Sequence, residues 1–590
     1  MNNVLLLFVY IISLSASFAC GILPDPFIQY QPVHLTASDK KILTESLNKL
    51  HDRYDPKEKM LTRTLNAWNY HTDAETGVFH EVRSSFGYAV GLLDIEDEKY
   101  TQRAFDIIDK TIDLQDTVAA SKTCGVWPYF QEEPLATKKS PADWNWADFN
   151  AVSLLDVYMG HEARLPVQLK AKIKRSLILA ANSIQKRDVQ PGYTNIAIMG
   201  TYVTYVTSHL FDLPQMKEYA SNRLNKFYNY TLEKGFTEYN SPTYTIVALD
   251  ELDRMKRHII DPGSKPKIDS LYSIGWSVIA RHYHKPSGQW AGPHSRSYNT
   301  LLQSSVNGIL KQASDGKIDP PGATARNDVK IKHEIPKYLM PYFLSPTYPR
   351  TEIDQLTTDE PRTVGTTYLT PKYALSTSNR SSLWNQRRPF LAYWGTQEKP
   401  CYLQPRFLHD HYDFSAASFY STQKDNNVLA AVTFMTNGGD KHISIDKLKE
   451  GKFKAKDLRL RFELGNFSDF NSLTFPTKPG DPVQIKIGDM QFNLQVFYAA
   501  LVGSGGIWEK GGDGKNAWLD LVFYHGAEKD FDLSKLNGAV IHFTFTMGNT
   551  NKKLKSVKPL SNIKGEIIHS TWNGLSLAVP YKPIPQPKNL

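Results

Sequence analysis

Two hydrophobic periods divide the chain. From about residue 35 to residue 345, apolar positions recur at three- and four-residue spacing. Examples are Ala104, Ile107, Ile108 and Ile112; Ala151, Leu154 and Leu155; and Ile173, Leu177 and Ala180. Further helices are expected over Ile196–Leu210, Met216–Tyr230, Thr243–Arg257, Ile268–Tyr283 and Tyr298–Gln312. Loops rich in Gly, Pro, Asn and aromatic residues separate them. Helical hairpins of this kind bury their apolar faces against one another and gather their loops at one end, which predicts an incomplete α/α toroid. Residues 346–365 are Pro-rich and weakly periodic and read as a linker. Beyond them the period falls to two, in stretches such as "LRLRFELG" and "AVIHFTFTMG" bounded by turn signals. These predict an antiparallel β-sandwich of two sheets over residues 366–590.

The first residues obey neither pattern. An apolar run from Val4 to Leu14 leads to small residues and then to Ala19 and Cys20. This has the form of a signal peptide over residues 1–19, and hence of a secreted, extracellular or periplasmic protein. Cys20 would then be the first mature residue and an alternative site of lipid attachment. No later stretch has the length of a transmembrane segment. Cys124 and Cys401 could form a disulfide only if they meet in space, and Asn229-Tyr-Thr and Asn466-Phe-Ser are glycosylation sequons.

The formal net charge of +9 is carried without long basic runs. That disfavours nucleic acid and suits an anionic polysaccharide or the glycan of a proteoglycan. Eleven Trp, 31 Tyr and 28 Phe supply flat surfaces on which sugars can stack. There is no G-x-S-x-G elbow, H-E-x-x-H pair or dinucleotide-binding glycine motif, which argues against lipase, zincin and nucleotide-dependent chemistry.

The densest polar loop, "WAGPHSRSYN", places Trp290, His294, Arg296 and Tyr298 within nine positions. Ser295 or Ser297 is expected to cap the helix after it. An imidazole, a cation and a phenol held by a Gly-Pro turn suit an anionic substrate. "TEYNSPTY" offers Asn240 at a rim, Ser241 as a cap and Tyr244 one turn later, and Asn195 occupies a similar loop-to-helix boundary. Trp144 and Asn145 are candidates for sugar contact, as are Arg380 and His411 if the sandwich leans over the toroid mouth. Carboxylates Glu132, Glu133, Asp148 and Glu238 keep a glycoside hydrolase open as an alternative, since that chemistry needs two carboxyl groups facing across a cleft. A non-catalytic glycan-binding protein is the other. The spacing of His409, Asp410, His411 and Asp413 matches no strong metal motif.

The toroid-plus-sandwich order, with the loops "WAGPHSRSY" and "NSPTY", resembles the two-domain polysaccharide lyases. Within them it looks similar to the lyases that act on rhamnose–glucuronate linkages in arabinogalactan proteins. The resemblance implies β-elimination at C4 of a uronic acid. On that reading Asn195 and Asn240 neutralise the uronate carboxylate and Arg296 orients it. His294 and Tyr298 form an imidazole–phenol pair, and Tyr244 stands in reserve as the base. It implies no required cofactor, with calcium a possible structural or catalytic addition.

Overall fold

The computed structural model describes residues 26–29, 33–67, 72–326, 328–357, 361–439, 448, 450–469, 471, 473, 480–551, 554 and 557–587. The expected signal peptide and Cys20 lie outside them. Helix starts follow local chemistry. α1 (Ala37–His51) opens on a reciprocal cap: the Thr36 hydroxyl accepts from the Asp39 N–H while the Asp39 carboxylate accepts from the Thr36 N–H. After α2 (Val82–Asp94), α3 (Glu98–Ile112) begins at Asp97, which accepts from the Lys99 N–H. Then come α4 (Asn145–His161), α5 (Val167–Arg187), α6 (Thr194–Leu210), α7 (Pro214–Lys234), α8 (Tyr244–His258), α9 (Lys265–His282) and α10 (Ser304–Ala313).

Residue pattern sorts these helices into layers. α6 is buried continuously from Thr194 to His209, whereas α7 buries one face and exposes the other. α2 packs on α4, α4 on α6 and α6 on α8, giving an inner row; α3 packs on α5 and α7 on α9 outside it. Gly200 lets the inner helices approach closely, because a Cβ there would lie 2.7 Å from Asp148 Oδ1. The result is an incomplete α/α toroid.

Three local expectations are corrected. Strands Tyr54–Asp55, Met60–Leu65 and Gly77–His80 form a small antiparallel sheet inside the helical half. The helix expected from Tyr298 starts only at Ser304, and neither Ser295 nor Ser297 caps it. Tertiary bonds take the backbone instead: Ser297 N–H donates to Gln386 O at 2.7 Å, and Thr300 O accepts from the Tyr393 hydroxyl. The linker expected over 346–365 contains a strand, Arg350–Gln355, that pairs with Val364–Leu369.

That strand forms one edge of a large antiparallel sheet, with nine strands among the described residues and a second sheet of six facing it. Their shared core includes Phe390, Phe407, Phe462, Phe492 and Phe543. The second half is an antiparallel sandwich, but with three layers where two were expected. Leu560–Lys564, Ile567–Trp572 and Leu575–Pro580 make a third sheet on the outer face of the six-stranded one. Strand Asn427–Phe434 shows why: Val428, Ala430 and Val432 face the main core, while Leu429 and Ala431 face the third sheet. A strand apolar on both faces needs a cover on each.

The halves are tightly joined. Arg281 binds Glu352 at 2.8 Å and Asp354 at 2.7 Å, and Ala291 packs with Leu369, Leu391 and Tyr393. Cys124 and Cys401 are both free thiols, so the conditional disulfide is absent; Cys401 is buried in the sandwich core. Asn229 is exposed on α7, whereas the Asn466 amide donates to Pro400 O. Among the described residues no helix is long and apolar enough to cross a membrane.

Candidate active site

The N-terminal turns of α2, α4, α6 and α8 open on one cleft of about 830 Å³. It is lined by Arg83 from α2, Asn145, Trp146 and Phe149 from α4, Asn195 and Ile196 from α6, and Tyr244 from α8. Glu238, Arg296 and Tyr298 complete its far wall. Converging helix N-termini add positive potential to that of the arginines.

The chemistry concentrates on the far wall. Tyr244 Oη lies 2.7 Å from Tyr298 Oη, and Arg296 Nη2 donates to Tyr244 Oη at 3.1 Å. Arg296 Nε donates to Gln386 Oε1 at 2.8 Å, and the guanidinium sits over the rings of Tyr244 and Trp384. Because the guanidinium can only donate, Tyr244 accepts from it, and the two phenols share a further hydrogen bond in which either can donate. Burial pushes the Tyr244 phenol well above its ordinary range, so it stays protonated. Tyr298, the other partner, is 53% exposed.

Beside the pair stands Glu238. Burial raises its carboxyl to about 7, against the opposing pull of the Arg296 guanidinium and the Asn195 backbone N–H. Its Oε1 is 4.0 Å from Arg296 Nη1, and its Oε2 is buried without a hydrogen-bond partner. Such a carboxyl can hold or release a proton near neutrality.

Of the residues singled out in the sequence, the structure brings Tyr298, Tyr244, Arg296, Asn195 and Asn145 to the cleft. Asn195 has a buried side-chain oxygen without a partner. Asn145 donates to Tyr193 Oη at 3.2 Å and accepts from Arg187 at 2.7 Å.

The others are not brought there. His294 is buried beneath the loop, with Nε2 donating to Trp290 O at 3.0 Å; burial, then the Arg388 charge, lower its pKa to about 3. It is a neutral ring away from the cleft, not half of an imidazole–phenol pair. Asn240 is turned inward too. Its amide donates to Ala291 O at 2.8 Å and Pro293 O at 3.0 Å and accepts from the Trp290 indole N–H. Its φ of 44° lies in the left-handed region, which Asn tolerates better than most residues. Trp290 is thereby a core residue. Trp144 stands outside the cleft while Trp146 lines it. Arg380 lines an adjoining groove that shares Glu238 and Arg296 with the cleft, and donates to Pro361 O; His411 is an exposed turn residue.

Among the hydrolase candidates, Glu132 accepts from His80, and Glu133 binds Thr72 and the N–H groups of Asp73 and Ala74. Asp148 is buried between α4 and α6, its carboxyl raised to about 7 by burial. Only Glu238 of the four reaches the cleft. Among the described residues no three His, Cys, Asp or Glu side chains gather as a metal site.

Sequence reasoning missed Arg83, Tyr193 and Asp143. The signal for Arg83 was electrostatic: a cation in the first turn of a helix opposes the macrodipole and asks for a reason.

A family model described as a domain of unknown function (DUF8769) matches residues 40–316, from α1 to just beyond α10. No curated protein matches the chain. Among solved structures it is similar to a heparinase III gene product, at 10% identity and TM-score 0.38, over 93% of this chain and 91% of that one. It is similar to the heparan sulfate lyase HepC from Pedobacter heparinus at 10% identity and TM-score 0.38, over 94% and 90%. The endoglucanase CelQ from Clostridium thermocellum gives 10% identity and TM-score 0.21, over 82% and 73%. These superpositions are too loose to carry a function to this chain, and the cleft has to speak for itself.

Proposed function

We propose that this protein is a polysaccharide lyase that cleaves the bond at C4 of a uronic acid by β-elimination. The observation that carries the reading is the hydrogen-bonded chain of Arg296, Tyr244 and Tyr298 at the wall of a cation-bearing cleft. Tyr298, the exposed phenol of the pair, acts as the base that takes the proton from C5. The C5 electrons form the C4–C5 double bond and the C4–O bond breaks. Glu238, with its carboxyl near 7, gives its proton to the departing oxygen. Proton exchange with water then restores both groups. Asn195 and Arg296 neutralise the uronate carboxylate, which makes the C5 proton acidic enough to leave.

A hydrolase is the second reading, because Asp143 lines the same cleft as Glu238. A carboxyl near 7 and a second carboxylate in one cleft are what glycoside hydrolysis requires. One assay separates the two. Elimination leaves an unsaturated uronate with new ultraviolet absorbance, and hydrolysis releases reducing sugar without it. The panel should hold glucuronate glycans, the rhamnose-capped form of arabinogalactan among them. New absorbance that disappears in Tyr298→Phe is the expected result. Reducing sugar without absorbance, abolished by Asp143→Asn, would replace the lyase by the hydrolase; glycan binding without turnover of any substrate would remove both.

A further inference from the structure

Arg83 makes no direct ion pair among the described residues, although Glu251, Glu81 and Asp143 act on it at longer range. It is the second residue of α2, it lines the cleft, and its guanidinium lies 3.8 Å from the Phe149 ring centroid and 5.7 Å from that of Trp146. Among the described residues it has neither a hydrogen-bond acceptor nor an ion-pair partner. Its neighbours differ. Arg83 and Phe149 also border a second cavity of about 460 Å³ that runs along the inner helices. The cations there are paired: Arg326 with Asp250 at 2.6 Å, Arg254 with Glu251 at 2.6 Å and Lys330 with Asp94 at 3.0 Å. On the cleft side Arg296 is engaged by Gln386 and Tyr244.

Two features oppose a cation here. Surrounding protein desolvates Arg83 enough to lower its pKa, although its side chain stays exposed through the cleft. It also lies in the first turn of α2, at the positive end of the helix. Its N–H donors lack protein acceptors and open on the cleft, where a ligand can meet them. The contact with the Phe149 ring holds the guanidinium at the cleft with its N–H donors unspent, and a guanidinium so held can grip an oxyanion bidentately.

We infer that Arg83, stacked on Phe149, is a second anion subsite, which binds an acidic group of the glycan distinct from the uronate whose carboxylate Arg296 and Asn195 hold. The ligand is a carboxylate or sulfate carried on a neighbouring sugar, so the preferred substrate is acidic at more than one residue. This rests on the cleft being the glycan site.

The test is calorimetric binding to the full chain, with Tyr298→Phe as the parent background to suppress turnover. The probes are a glucuronate tetrasaccharide, its fully carboxyl-reduced form, and a carboxyl-reduced tetrasaccharide bearing O-sulfate. Arg83→Gln keeps the stacking shape and loses the charge. It should weaken binding of the acidic tetrasaccharide by about 10- to 100-fold, as expected for a charged hydrogen-bonded pair, while binding of the neutral one is unchanged. Arg83→Lys, which keeps charge without the fork, should fall between. If only the sulfated probe loses affinity, the group is sulfate; if only the glucuronate probe does, it is carboxylate. Equal loss on the neutral probe would mark Arg83 as structural and overturn the inference, as would unchanged binding of both acidic probes or a parent that binds neither. Ultraviolet product formation by the wild-type chain is scored separately. Its absence alongside an Arg83 effect sinks the lyase reading and keeps the subsite, and its presence without an Arg83 effect does the reverse.

Discussion

One loop contains both a brace and a chemical wall. Residues 290–294 turn into the protein: Trp290 binds Asn240, Asn240 binds Ala291 and Pro293, and His294 closes back on Trp290. Residues 296–298 turn out: Arg296 and Tyr298 line the cleft with Tyr244 and Glu238. Composition does not distinguish the halves, since each holds a basic side chain and an aromatic ring. Hydrogen-bond satisfaction does. The inner half pairs its side chains with backbone and with one another, leaving His294 Nδ1 unpartnered, whereas the outer half presents an exposed phenol beside the Glu238 carboxyl, whose Oε2 is unpartnered. A site with unspent polar capacity can do chemistry; a satisfied one holds a shape.

The sharpest way to break this comparison is to remove one oxygen from the outer half. Tyr298→Phe should lower turnover by about 100-fold or more with the Michaelis constant nearly unchanged, because only proton transfer is lost. Steady-state kinetics on an acidic glycan checks it, and a parent-like rate would dissolve the wall. The matching change in the inner half is Asn240→Ala. It should cost about 2–4 kcal/mol in denaturant unfolding, since buried carbonyls and an indole lose their partner and a left-handed φ is imposed on alanine. Turnover per folded molecule should fall far less than in Tyr298→Phe.

Two titrations refine the contrast. The folded chain keeps the Glu238 proton up to about 7 while the unfolded chain releases it near the ordinary glutamate value of 4.5. The native state therefore binds more protons between those values, and stability falls as pH rises through that window. Glu238→Gln should raise the melting temperature by about 2–4 °C at pH 8 relative to its effect at pH 4, while removing the alkaline limb of the rate profile. His294 has the opposite sign. Its folded value is depressed to about 3 from 6.5, so its contribution is present above 6.5 and is lost as pH falls towards 3. His294→Gln, which keeps an N–H for Trp290 O, should flatten that acid loss by a smaller margin and leave no imidazole limb to find in the rate profile. Differential scanning at several pH values measures both.

The fold was largely legible, for a physical reason. Burial in a layered protein writes its period into the chain, and the change from three-to-four to two survives any detail of packing. What escaped was decided by pairing across distance. Tyr298 looked like a helix start because Ser297 precedes it, yet Gln386, far along the chain in the sheet-rich half, takes the Ser297 backbone. Strand Asn427–Phe434 read as ordinary sandwich core until the third sheet accounted for its second apolar face. In the site, residue type found Tyr244, Tyr298, Arg296 and Asn195 but could not say that His294 and Asn240 point the other way. Arg83 was overlooked because an arginine at the start of a helix carries no motif.

Gln386 carries one last implication. It belongs to the sheet-rich half, yet it clamps the Arg296 guanidinium that hydrogen-bonds to Tyr244, and Trp384 lies beneath the same group. The wall is thus split across two modules, like a lock whose bolt and strike plate are mounted on separate doors. A fragment ending near residue 316 would keep both tyrosines but would leave Arg296 unclamped, so under the proposed chemistry it should lose turnover that a fragment extending past Gln386 keeps.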